Sequence, residues 1–277
     1  MSDEHVWQGF TRAALDAAYN NMAAVPDSAA MLASWVARSD ALRAIQSSEL
    51  DVAYGPLPRN RFDVFRCGEP SAPLLVFIHG GWWQRNSKEV FSCMAVGPMA
   101  QGFDVALLGY TLAPESRLTQ IASEIHAGLD VLMAHQQSLA ATTRCILSGW
   151  SAGGHLTALS LDHPAVHAGL SISGVFHLEP IRHSYINDKL GLDATEVTAM
   201  SPALLKPCGK PFALAYGLAE LSELQRQSID YGSHCTAHGS PASAYPLMGH
   251  NHFSILEELA IPKGALVTVI SDLCRSQ

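Results

Sequence analysis

The chain has 277 residues, 48% hydrophobic and 15% charged, so it can bury a sizeable core and is not disordered. A net charge of −8 leaves no basic surplus to neutralise phosphates, which excludes nucleic acid as an expected partner. The six cysteines (Cys67, Cys93, Cys145, Cys208, Cys235 and Cys274) form no CxxC pair, so neither a disulfide scaffold nor a zinc site is expected.

Residues 1–48 read as a helical extension, with Ala13-Ala14-Leu15 and Ala29-Ala30-Met31-Leu32 separated by Val25-Pro26-Asp27. The acidic, polar start Met-Ser-Asp-Glu-His is unlike a secretory signal, and no apolar run approaches the roughly 20 residues that span a bilayer. The expected location is the cytoplasm, with no membrane partner. From about residue 50, short β-rich runs alternate with longer helical ones, the signature of a mostly parallel sheet with crossover helices. The predicted strands are Asp51–Tyr54, Arg61–Cys67, Leu74–Ile78, Phe103–Leu108, Cys145–Ser148, Gly169–Ser173, Phe212–Tyr216 and Ala242–Leu247. The first two lie too close for an intervening helix and should pair antiparallel. Leu74–Ile78 is apolar on both faces, as a central strand must be. Helices are expected at roughly 87–100, 120–138, 152–162, 220–237 and 254–274, the last broken at Pro262, while 175–205 reads as an irregular insertion after the sixth strand. With no repeat, low-complexity tract or linker, 1–277 reads as a single domain.

Chemistry concentrates at four places. Gly149-Trp150-Ser151-Ala152-Gly153 matches G-x-S-x-G between an apolar strand and a helical run, the context in which a sharp turn exposes a nucleophilic serine at a helix N-terminus. Ile78-His79-Gly80-Gly81-Trp82-Trp83 follows the strongest strand. Its glycines allow backbone N–H groups to turn inward, so Gly81, Trp82 and Ala152 are the expected oxyanion-hole donors and His79 a buried brace. Gly249-His250-Asn251-His252-Phe253 follows the last strand, where the general base should lie; His252 is preferred, with His250 touching loop or substrate. The carboxylate that orients the histidine should follow the seventh strand, and Glu220 is the choice, with Glu223 and Asp230 as fallbacks. The order Ser151, Glu220, His252 is that of a serine hydrolase with the α/β-hydrolase fold. The expected fold is a mostly parallel eight-stranded sheet flanked by helices, with a small cap from the N-terminal segment and the insertion at 175–205.

Trp83, Trp150, Phe176, His250 and Phe253 lie near this machinery in sequence and are expected to line the substrate pocket, while Trp82 should limit the acyl side. No cofactor or metal is expected: the His250/His252 pair lacks a third ligand.

Several segments carry a family resemblance: His79-Gly-Gly-Trp-Trp, Tyr110-Thr-Leu-Ala-Pro-Glu115, Gly149-Trp-Ser-Ala-Gly-Gly-His155, Glu220-Leu-Ser-Glu-Leu-Gln-Arg-Gln-Ser228 and Asn251-His-Phe. With Ala18-Tyr-Asn-Asn21 and Val25-Pro-Asp27, they resemble the kynurenine formamidase (arylformamidase) branch, which neighbours the hormone-sensitive-lipase-like esterases. The resemblance implies a cytosolic, cofactor-free enzyme cleaving small aryl formamides or esters. Animal members carry Asp where this chain has Glu220. Carboxylesterase, N-formylkynurenine formamidase, carbamate hydrolase and thioesterase would share this machinery, and a non-catalytic binding protein on the same fold is the reading from a different class. The sequence leaves a homodimer open.

Overall fold

Burying Leu74–Ile78 on both faces requires a sheet with helices on either side. That is the architecture of the computed structural model, which describes residues 4–46, 48–138 and 144–275. The sheet strands are β1 (Ser48–Ala53), β2 (Arg61–Phe65), β3 (Leu74–Ile78), β4 (Asp104–Leu108), β5 (Cys145–Trp150), β6 (Val166–Ile172), β7 (Phe212–Gly217) and β8 (Ala242–Leu247). Their spatial order is β8-β7-β6-β5-β3-β4-β2-β1. From β8 to β4 neighbours run parallel; β2 is antiparallel to both β4 and β1, as the short connection between the first two strands demanded. This is the eight-stranded α/β-hydrolase sheet expected.

The two sheet faces carry separate cores. Leu74, Val76 and Ile78 of β3 point into one, with residues of α5 (Leu118–Ser138), α6 (Ala152–Leu159) and α10 (Ser222–Ala237). Leu75 and Phe77 point into the other, beneath α3 (Ser28–Ile45), the 3₁₀ turn Lys88–Ala95 that runs into α4 (Val96–Met99), α11 (Glu257–Ala260) and α12 (Ala265–Arg275). Pro262 falls in the gap between α11 and α12, where its missing N–H ends the helix.

The N-terminal segment departs from the helical expectation for 1–48. His5–Trp7 and Phe10–Thr11 pair as a hairpin, and residues 1–3 and 47 lie outside the described residues. Gln8 and Gly9 both have positive φ, 38° and 85°, the two-residue turn whose twist matches paired strands. Trp7 and Phe10 then pack against each other across this turn, with ring centroids 5.9 Å apart. After the hairpin come α1 (Arg12–Ala18), α2 (Asn21–Ala24) and α3. Buried Trp35 anchors α3: its rings pack on Phe91, Trp150 and Phe253, and its Nε1 donates to Glu257. Fully buried Asp63 on β2 accepts from both Arg43 of α3 and Lys88, a second tie between the segment and the sheet.

The insertion at 175–205 folds as α7 (Glu179–Arg182), α8 (Asn187–Leu190), α9 (Ala194–Met200) and a 3₁₀ turn at Pro202–Leu204. It braces the N-terminal segment and the loop after β3: the Tyr185 N–H donates to Asp16 and Gln84 Nε2 donates to the Ile186 carbonyl, both at 2.6 Å.

Candidate active site

β3 and β5 are adjacent and parallel, with Ile78 in register with Gly149, although about 70 residues separate them in sequence. Chain order reverses between these strands, so the loops leaving their C-terminal ends diverge and open a crevice. His79–Asn86 leaves β3 there and Ser151 leaves β5. Topology brings the two motifs together.

Ser151 caps α6 with φ 57° and ψ −116°, a backbone strain typical of functional turns. Its N–H donates to Ile172 at 2.8 Å and its carbonyl accepts from His155 at 3.1 Å, which holds the turn. The turn is so tight that a Cβ on Gly149 would stand 2.2 Å from the Gly153 carbonyl oxygen; this is the steric reason for the glycines around the serine.

In the next loop, Asn251 Oδ1 accepts from the N–H groups of Phe253 and Ser254, each at 2.9 Å, and Trp150 Nε1 donates to the His252 carbonyl at 2.8 Å. These contacts fix the His252 ring, whose Nδ1 lies 3.0 Å from Glu220 Oε2. The other Glu220 oxygen accepts from Ser173 Oγ and the Gly217 N–H, both at 2.6 Å, so three groups hold this fully buried carboxylate. A carboxylate only accepts, so the proton between the two groups sits on His252 Nδ1. Glu220 occupies the turn before α10 rather than the helix itself, which begins at Ser222. Of the fallbacks, Glu223 is engaged by Tyr19 and Arg226, and Asp230 pairs with Arg226 on the surface.

The loop after β3 is conformationally extreme. Gly81, Trp82 and Trp83 have φ of 123°, 53° and 58°, and a Cβ on Gly81 would lie 2.3 Å from the Arg85 carbonyl oxygen. The N–H groups of Gly81, Trp82 and Ala152 donate to no other described residue. Backbone N–H groups without a protein partner are free to take an acceptor from a bound molecule. His79 is the expected brace: its ring lies between Tyr110 (4.4 Å) and Phe91 (6.0 Å), and its Nδ1–H donates to Gly80. Burial lowers its pKa to about 4, so it stays neutral.

Ser151 and His252 line one cavity of about 70 Å³ with Gly81, Trp82, Trp150, Phe253, Asn21, Met22, Leu32, Arg85 and Asn86. Trp150 and Phe253 are thus among the residues that line this cavity. Three others require correction. Trp83 is fully buried with its edge against His155 at 4.9 Å, because the positive φ at Trp82 and Trp83 turns its ring into the core. Phe176 stacks on Tyr231 at 4.3 Å beside α10. His250 points away, with Nδ1 toward the Ser254 carbonyl and Nε2 3.5 Å from Glu258. The sequence reading missed Asn21, Met22 and Leu32, contributed by α2 and α3, and Ser173 beneath Glu220. Ser173 sits just past β6, at the strand end where sites in such sheets form, a signal that was available.

The BD-FAE family model matches residues 65–165. A kynurenine formamidase from Drosophila melanogaster is 29% identical over 225 residues, covering 73% of this chain and 74% of that protein. One from Danio rerio is 25% identical over 233 residues, 78% of each. Among solved structures, a Silicibacter sp. tm1040 protein, provisionally described as a thioesterase, superposes with a TM-score of 0.83 at 29% identity, covering 93% of this chain and 98% of its own. The carboxylesterase EstE1, from a metagenomic library, shares the fold with a TM-score of 0.72 at 17% identity, over 91% and 98% of the two chains. The chain is a hydrolase of the α/β-hydrolase fold that resembles the kynurenine formamidases. No helix among the described residues is long and apolar enough to cross a membrane.

Proposed function

We propose that this hydrolase cleaves small aryl formamides or carboxylic esters through an acyl-enzyme on Ser151, with His252 as general base and Glu220 as its orienting carboxylate. One observation carries the reading: the histidine that shares a cavity with the elbow serine is held at its far nitrogen by a buried carboxylate. In the first step Ser151 Oγ bonds to the substrate carbonyl carbon while its proton passes to His252 Nε2. The unpaired N–H groups of Gly81, Trp82 and Ala152 supply donors for the resulting oxyanion, each such donor being worth about 3–4 kcal/mol in comparable enzymes. Imidazolium then returns the proton to the departing amine or alcohol. Water, deprotonated by the same nitrogen, releases the acid and regenerates Ser151.

The likeness to kynurenine formamidases supports N-formylkynurenine as the first substrate to assay, against a matched aryl acetate with Ser151→Ala as the blank. A formamide preference lost in the variant supports arylformamidase activity. Ester turnover with little formamide cleavage supports a carboxylesterase. If Ser151→Ala retained wild-type rates, the nucleophile assignment would fall.

The cavity's size favours a short acyl group, since a single water already needs about 10–15 Å³. Trp82, 5% exposed and edge-on to Tyr19 at 6.0 Å, closes part of it. Trp82→Gly is therefore expected to raise kcat/KM on butyrate and hexanoate esters about 10-fold relative to acetate. No gain on the longer chains would mean that another side chain sets the limit.

A further inference from the structure

Asn21 stands apart from every other residue that lines the cavity. It is 4% exposed, yet neither its Oδ1 nor its Nδ2 has a hydrogen-bond partner among the described residues. Leaving both ends of a carboxamide buried and unpaired is unfavourable, and native folds seldom tolerate it. The position is also held firmly. Asn20 caps α2 through its side chain, and the adjacent Tyr19 hydroxyl donates to Glu223 and accepts from Gln227 on α10, the helix that follows Glu220. Gln227 in turn accepts from the N–H groups of Phe176 and His177. The helix next to the orienting carboxylate thus sets the register of the segment that brings Asn21 to the cavity that Ser151 also lines.

We propose that the Asn21 carboxamide is the specificity group that recognises an N–H donor on the substrate. The inference rests on the Ser151 reading above and names the substrate class of that site: amides and formamides rather than esters. A formamide and its matched ester present the same carbonyl to the oxyanion donors. Only the formamide carries an N–H, which Asn21 Oδ1 accepts, while Nδ2 donates to an oxygen on the same substrate. The ester offers acceptors alone and leaves Oδ1 buried and unpaired. Sites built to pair a substrate N–H or O–H discriminate strongly against analogues that lack it.

The test compares kcat/KM for para-nitroformanilide and para-nitrophenyl formate in wild type, Asn21→Leu and Asn21→Ala, expressed as the variant-to-wild-type ratio for each substrate so that intrinsic reactivity cancels. Both variants are expected to lose about 10–100-fold on the formanilide and less than about 3-fold on the formate ester. Melting temperature provides a second readout. Removing an unpaired buried amide leaves Tm unchanged or raised in Asn21→Leu, whereas a structural asparagine would lower it. Equal losses on both substrates in the two variants, or a fall in Tm that tracks the loss, would overturn the proposal. Labelling by a fluorophosphonate separates this result from failure of the nucleophile reading. Ser151 labelled at wild-type rate with an unmoved substrate ratio removes Asn21 alone. Absence of label on Ser151 in wild type removes both.

Discussion

His252→Ala is expected to lower kcat by about 10⁵–10⁶-fold, as much as removal of the nucleophile, because serine and base act as a unit whose losses do not add. Without an acceptor for its proton, Ser151 Oγ attacks only as the rare alkoxide. Residual turnover should therefore climb with hydroxide concentration. Misfolding is not the expected cause. The bond from Trp150 Nε1 reaches the His252 backbone carbonyl and survives truncation, as does the Asn251 turn. A pH–rate profile with wild-type shape in the variant would show that another residue takes the proton.

Glu220→Gln should cost about 10⁴-fold in kcat with little change in Tm, and the reason is geometric. Oε1 already accepts from Ser173 Oγ and the Gly217 N–H at 2.6 Å, so the glutamine carbonyl must take that side. Its NH₂ then falls where Oε2 stood, 3.0 Å from His252 Nδ1. Two N–H donors cannot face one another. The imidazole adopts the other tautomer and presents Nε2–H to Ser151, which can no longer transfer its proton there. Glu220→Ala provides the contrast: it strands Ser173 and Gly217 and should lower Tm as well as activity. Near-wild-type kcat in Glu220→Gln would point to a different orienting group.

How much of this was legible in the sequence depended on distance along the chain. The strand at Leu74–Ile78 and the sharp turn at Ser151 are local patterns that can be read without coordinates, because each carries its own backbone requirement. The pocket wall is not local. Trp83, Phe176 and His250 lie within a few residues of the machinery but face elsewhere, since proximity in sequence does not fix the direction of a side chain across a turn with positive φ. Asn21 and Leu32 join the cavity that Ser151 lines from about 120–130 residues away, through the packing of Trp35 against Trp150 and Phe253, a tertiary event with no sequence period. The N-terminal hairpin was closer to readable, for Trp7-Gln8-Gly9-Phe10 is an apolar pair around a turn dipeptide.

Incubating the protein with a fluorophosphonate and locating the adduct by peptide mass spectrometry shows whether Ser151 is the nucleophile. One stoichiometric adduct on Ser151 is expected, with complete loss of hydrolysis in step with labelling and no adduct in Ser151→Ala. Hydrolysis that persists after full labelling, or an adduct on another residue that abolishes it, would contradict Ser151 as the nucleophile.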